Sequence, residues 1–162
     1  MPIKPTVVAL ALAAAGLAQT PLTPPPNAPY GISISPEVAK KAAAAAIAEA
    51  RKNHWEMAVA IVDTGGYLVY FERMDATQLG SVQIAIDKAK SAVLFRRPTK
   101  SFQDTLAGGG QGLRMLGLTG AVPVEGGIPL VVNGKVIGAI GASGGSSDQD
   151  RHTAEAGATV VK

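Results

Sequence analysis

From residue 35 onward the spacing of apolar positions changes element by element. Ser35-Pro36-Glu37 offers a capping hydroxyl, a proline suited to the first helical turn and an acid near the helix's positive end. The alanine-rich stretch that follows predicts a helix to about residue 52, and the alanines at 42–46 let it approach its neighbours closely. Residues 57–63 form an almost unbroken apolar run, Thr64-Gly65-Gly66 supplies a turn, and 67–73 returns as an antiparallel strand. Over 81–95, Val82, Ile84, Ala85, Ala89, Ala92, Val93 and Phe95 recur at helical spacing. Arg96-Arg97-Pro98 ends that helix, because the residue before a proline is pushed out of the α region. Thr99 or Ser101 then caps a short helix through Ala107, Gly108-Gly109-Gly110 breaks it, and a loop runs to Val124. Next come two apolar, β-branched runs flanking Asn133-Gly134, the dipeptide that best tolerates a type I′ turn, and so a tight hairpin. Its second strand carries Gly138 and Gly141, which weaken a strand and imply that another backbone, a ligand or a partner subunit comes close. The bend Ser143-Gly144-Gly145-Ser146-Ser147-Asp148 leads into a last helix over 150–161. This order predicts an α+β fold, an antiparallel sheet covered by helices.

The first thirty residues follow a different pattern. Lys4 precedes an apolar run from Val7 to Ala15, and Gly16-Leu17-Ala18 places small residues at the two positions a signal peptidase reads. Residues 1–18 are therefore expected to be a signal peptide cleaved after Ala18, leaving a periplasmic or secreted protein. The run is too short for a membrane span. Residues 19–34 read as a proline-rich, extended arm leading to a domain at 35–162. A chain of 162 residues suits one such core, and with no cysteine it has no disulfide framework, no thiol nucleophile and no cysteine-type zinc or iron–sulfur site. A hydrophobic fraction of 47% with 19 glycines and only 4% aromatics implies a core of Ala, Val, Ile and Leu under closely approaching backbones. The net charge of +3 comes from scattered basic residues not interleaved with aromatics, so no nucleic-acid partner is expected.

A few side chains carry candidate chemistry. Lys88 lies mid-helix with Arg73 and Glu125 as expected neighbours, and a cation facing a pocket attracts a carboxylate. A lysine stem lying along the helix surface is the structural alternative. Arg97 sits at a helix junction suited to anions, unless it is an exposed basic corner. Glu125, beside Gly126-Gly127, is placed to orient a ligand or act as a base, so Lys88 and Glu125 are the catalytic candidates. Ser143 and Gly144 open the bend expected to face the Lys88 helix across a cavity, with plain connecting structure as the alternative. His54 and His152 are the only imidazoles; His152, in the first turn of the last helix, is the candidate metal ligand, and His54 reads as a solvated turn residue. Asp148 and Asp150 read as helix caps and Asp63 as a turn former. There is no nucleophile, base and acid triad, and the glycines at 108–110 and 112 lack the lysine and strand of a phosphate loop, so hydrolase, kinase and dehydrogenase readings fall away.

Five segments together resemble the GlcG/HbpS family, which includes the C-terminal domain of PduO proteins. They are Val62-Asp63-Thr64-Gly65-Gly66, Arg73-Met74-Asp75, the helix from Ala85 to Ala92 with Phe95, Gly126-Gly127-Ile128-Pro129, and Gly138 to Gly145 with Gln149-Asp150 and Ala154-Glu155-Ala156-Gly157. The match runs in order from about residue 35 to 162. The resemblance implies a profilin-like fold, a homo-oligomer, and haem or iron as ligand in several members. It matches at Lys88, allows Thr99 as an iron ligand, and does not require a histidine at 152. With the secretion-like start it implies an exported haem- or small-ligand-binding protein, and the candidate ligand contacts are Arg73, Lys88, Arg97, Thr99, Glu125, Ser143 and Gly144. Two other readings stay open: a cofactor-free enzyme on a small hydroxy- or oxo-acid, with Lys88 gripping the carboxylate and Glu125 moving a proton, and a purely structural assembly subunit.

Overall fold

The computed structural model describes residues 24, 25 and 27–162. The expected signal peptide and the first residues of the arm lie outside the described residues. Helix α1, Pro36–Lys52, starts as its sequence predicts, with the Ser35 hydroxyl accepting from the Val38 amide. Strands β1, Ala58–Val62, and β2, Leu68–Arg73, form the first hairpin, whose turn is tied by Asp63: one carboxylate oxygen accepts from the amides of Gly65 and Tyr67, each at 2.9 Å. Helices α2, Gly80–Phe95, and α3, Lys100–Ala107, follow. Strands β3, Gly127–Val132, and β4, Lys135–Ser143, form the second hairpin, turning at Asn133 and Gly134 with φ of +50° and +73°. Helix α4, Ser147–Thr159, closes the chain.

The four strands pair antiparallel in the order β2-β1-β4-β3. Alternation along β1 divides the core between the two faces of the sheet. Val59 and Ile61 pack with Ile140 and with Ala42, Ala46 and Ala154 of α1 and α4. Ala58, Ala60 and Val62 pack with Ala85, Ala89 and Val93 of α2. The glycines of β4 explain how the layers come so close. A Cβ on Gly141 would collide with the Ala85 carbonyl and lie 2.7 Å from the Ala89 amide, and one on Gly138 would collide with the Val62 carbonyl. The close neighbour is protein backbone in both cases.

Three local expectations give way to other structure. The stretch after Gly109 is a 3₁₀ helix, Gly110–Gly117, rather than loop. The cap of α4 is Ser146, in a reciprocal box with Gln149, so Asp148 and Asp150 are released from capping. Thr99 stands just before α3 without capping it; its hydroxyl oxygen accepts from the Gly127 amide at 3.0 Å and its own amide donates to the Gly127 carbonyl at 3.0 Å. This stitches the start of α3 to β3. The described part of the arm is docked: Gly31 and Ile34 donate to the carbonyls of Val136 and Ile137, and the Tyr30 hydroxyl donates to the Val93 carbonyl.

Candidate functional site

Lys88 runs from α2 into the space between β4 and the start of α4 and is 1% exposed. Its Nζ donates to Asp150 Oδ2 at 2.6 Å and to the Ala142 carbonyl at 3.2 Å. The other Asp150 oxygen accepts from the Gly145 amide at 3.0 Å. Burial pushes the Asp150 carboxyl up from its ordinary value, while the Lys88 ammonium and the amides of Gly145 and Gly144 act in the opposite direction. Gly126 makes room for the pair. It holds φ at +117°, and a Cβ there would lie 3.0 Å from Lys88 Nζ and 2.7 Å from the Ala142 carbonyl. The arrangement joins α2, β4 and α4 at one buried point. The gap expected between the Lys88 helix and the last ribbon is closed, because Gly141 lets the α2 backbone itself fill it.

A recess of about 140 Å³ opens on the far side of Gly126, lined by Lys100, Glu125, Gly126, Ile128, Arg151 and Glu155. Glu125 is 7% exposed. Its amide donates to Gln103 Oε1 at 2.9 Å, and Gln103 Nε2 donates to Glu125 Oε1 at a long 3.3 Å. Arg151 Nε lies 3.4 Å from Glu125 Oε2, an ion-pair distance without hydrogen-bond alignment, so Oε2 is buried with no donor. The other two nitrogens of Arg151 are engaged elsewhere: Nη1 donates to both Glu155 oxygens at 2.8 and 2.9 Å and Nη2 donates to Asp148. Those carboxylates push the Arg151 pKa further up. Lys100 donates to Asp104 at 2.7 and 2.8 Å. Three carboxylates, Glu125 and Glu155 in the wall of the recess and Asp148 outside it, thus surround one guanidinium.

This arrangement is built on a chain with clear relatives. The family model described as haem degrading protein HbpS-like matches residues 34–159. The chain belongs to the HbpS-like family. Protein GlcG of Escherichia coli K12 is 36% identical over 112 residues, 69% of this chain and 82% of GlcG. Among solved structures, HbpS aligns with a TM-score of 0.75 at 32% identity, over 82% of this chain and 92% of HbpS. A complex of PduOC with haem aligns at 0.73 and 28% identity, over 81% of this chain and 96% of that one.

In this HbpS-like chain the other expected ligand residues do not converge on one cavity. Arg73 is exposed at the end of β2, in a groove with Arg51, Glu72 and Met74. Ser143 is buried and donates to Ser81 Oγ at 3.2 Å, and Gly144 sits against the Glu56 carbonyl, where a Cβ would collide. Thr99 is fully buried against β3. Arg97 is exposed, its guanidinium 5.7 Å above the Phe102 ring. His152 is exposed; its Nδ1 lies 3.2 Å from Asp148 Oδ2 and its Nε2 3.3 Å from Arg151 Nη2. His54 is exposed in a turn with φ of +58°. Among the described residues no three histidine or acidic side chains converge as a metal site. The residues that sequence reasoning passed over are Asp150 as the partner of Lys88, Gln103, and Arg151. The spacing Asp148, Arg151, Glu155 does mark a charged ladder along one helix face. Only the fold shows that Glu125 meets it.

Proposed function

We propose that this chain is an exported, homo-oligomeric haem-binding protein that holds its ligand on an apolar outer surface. Family membership and the haem in the PduOC complex support the class of ligand. The observation that carries the reading is the 3₁₀ helix, whose Leu113 and Leu116 are 54% and 70% exposed, with Leu118 and Arg114 beside them. Arg97 lies over the Phe102 ring of α3, and α3 packs against the 3₁₀ helix. Haem is a flat, mainly apolar ring carrying two propionates; leucines suit its face and guanidiniums suit its carboxylates. The recess beside Glu125, about 140 Å³, is far smaller than a porphyrin, so the ring is placed instead on the exposed leucines, a surface that a second copy would cover. Bound haem supplies a redox-active iron. On this chain Leu113 and Leu116 would shield the ring from water, and Arg97 and Arg114 would hold the propionates. Both buried, Lys88 ties α2 to β4 and α4, and Thr99 ties the start of α3 to β3. His152 is not assigned as axial ligand, since a guanidinium stands at its Nε2. The N-terminal pattern supports export. The carboxylates around Arg151 disfavour a substrate acid there, and Lys88 is already neutralised by Asp150, so the hydroxy-acid enzyme has no geometric support.

Titrating purified protein with hemin tests the reading. A saturable Soret shift is expected at micromolar hemin, with weaker binding in Leu116→Glu and in Arg97→Ala. Absence of the shift in the wild-type protein, at whatever oligomeric state light scattering shows, would overturn it.

A further inference from the structure

We infer that the recess beside Glu125 is a second binding site, separate from the haem surface, that takes a small primary ammonium compound. The first observation is the carboxylate of Glu125. Its side chain is nine-tenths buried, one oxygen has only a 3.3 Å hydrogen bond, and the other has none. An ionised carboxylate accepts up to about four hydrogen bonds, and leaving it short in a buried place is costly. The terminal torsion of a glutamate is soft, so a small turn brings Oε2 to the wall of the recess. The second observation is the charge around it. The wall itself holds Lys100 and Arg151 against Glu125 and Glu155, and the exposed carboxylates of Asp104 and Asp148 pair with those two cations from outside, so the surroundings of the recess carry an excess of negative charge. An anionic ligand is disfavoured and a cation is favoured.

The cation must bring its own donors. Among the described residues no set of three histidine or acidic side chains is gathered closely enough for a metal ion. An ammonium group donates up to three hydrogen bonds, enough to reach Glu125 Oε2 and Glu155 together. A short alkyl or hydroxyalkyl tail then lies against Gly126 and Ile128, and the volume of about 140 Å³ admits only a few heavy atoms. Two internal cations compete for this carboxylate: Arg151, at 3.4 Å but held by Glu155 and Asp148, and Lys100, whose half-exposed side chain lines the same recess.

Calorimetric titration of the full chain without haem decides the matter, using ethylammonium chloride, ethanolamine, ethylene glycol and sodium glycolate as probes. Saturable binding of the two ammonium compounds is expected, with weaker binding of the glycol and none of glycolate. Glu125→Gln should lower the ammonium affinity by about tenfold or more, the loss of a charged hydrogen bond. Lys100→Ala, on an exposed side chain, should raise it by removing the competing ammonium. The inference is overturned if neither ammonium compound binds the wild-type protein or Lys100→Ala, if folded Glu125→Gln binds as well as wild type, or if glycolate binds best. Should Glu125→Gln fail to fold, Lys100→Ala decides alone: higher affinity supports the site, and unchanged or lower affinity rejects it. Hemin binding is not read in this experiment, so its outcome and that of the haem test stay distinct.

Discussion

At the scale of single residues, the pairing of Lys88 with Asp150 is the most consequential contact in the domain. Each charge is buried and each depends on the other, at 2.6 Å, for compensation. Removing one partner leaves the other uncompensated in a low-dielectric interior, which costs more than the intact pair ever contributed. Lys88→Met is therefore expected to destabilise the fold by about 3–5 kcal/mol, read from urea denaturation. The double change Lys88→Met with Asp150→Leu should recover much of that loss, because no unpaired charge remains. A single change that proved harmless would mean that water or another cation reaches Asp150. This residue also shows what one-dimensional reading misses. Asp150 stands where a helix cap belongs, and its pairing with a residue 62 positions away leaves no local trace. The capping role fell to Ser146, whose hydroxyl has the reach to meet the Gln149 amide.

At the scale of elements, glycines set how closely α2 lies on the sheet. The pattern of β4 announced a close neighbour at Gly141, and the neighbour is the α2 backbone at Ala85 and Ala89. Gly141→Ala would force those elements apart, since a Cβ meets backbone and not the movable end of a side chain. A loss of at least about 1–3 kcal/mol is expected from such overpacking, measured as a lower midpoint in denaturant. An unchanged midpoint would show that α2 can slide on the sheet. Helices and hairpins were legible because each carries a local cause: a capping serine before α1, Asn133-Gly134 between β3 and β4, and apolar spacing along α2. The 3₁₀ helix was not, since its short, glycine-bounded stretch has no apolar period to read and exposes its leucines.

For the whole molecule, the described part of the N-terminal arm acts as a strap rather than a loose spacer. Arg96 donates to the Ala28 carbonyl at 2.8 Å and lies 5.5 Å over the Tyr30 ring, while the backbone from Pro29 to Ile34 pairs with Val136 and Ile137. Ala28 and Ile34 are buried in the two separate cores. The strap thus crosses from one face of the sheet to the other. A chain beginning at Ile34 should lose about 2–5 kcal/mol, several hydrogen bonds at roughly 1 kcal/mol each plus the burial of Ala28. Thermal melting checks this, at about 2–4 °C per kcal/mol for a chain of this size. A truncated chain that melts with the full one would reduce the arm to a tether.

The sequence by itself determined the α+β class, the bounds of most elements and the family, because these rest on local propensity, turn chemistry and a run of short motifs in a fixed order. Tertiary structure alone decided where the space lies. The Lys88 helix and the last ribbon were expected to face each other across a cavity, and their glycines let them touch. The recess formed instead where Glu125 of one loop meets Arg151 of α4, 26 positions on, and which side chains share a volume is set by packing across layers, not by spacing along the chain.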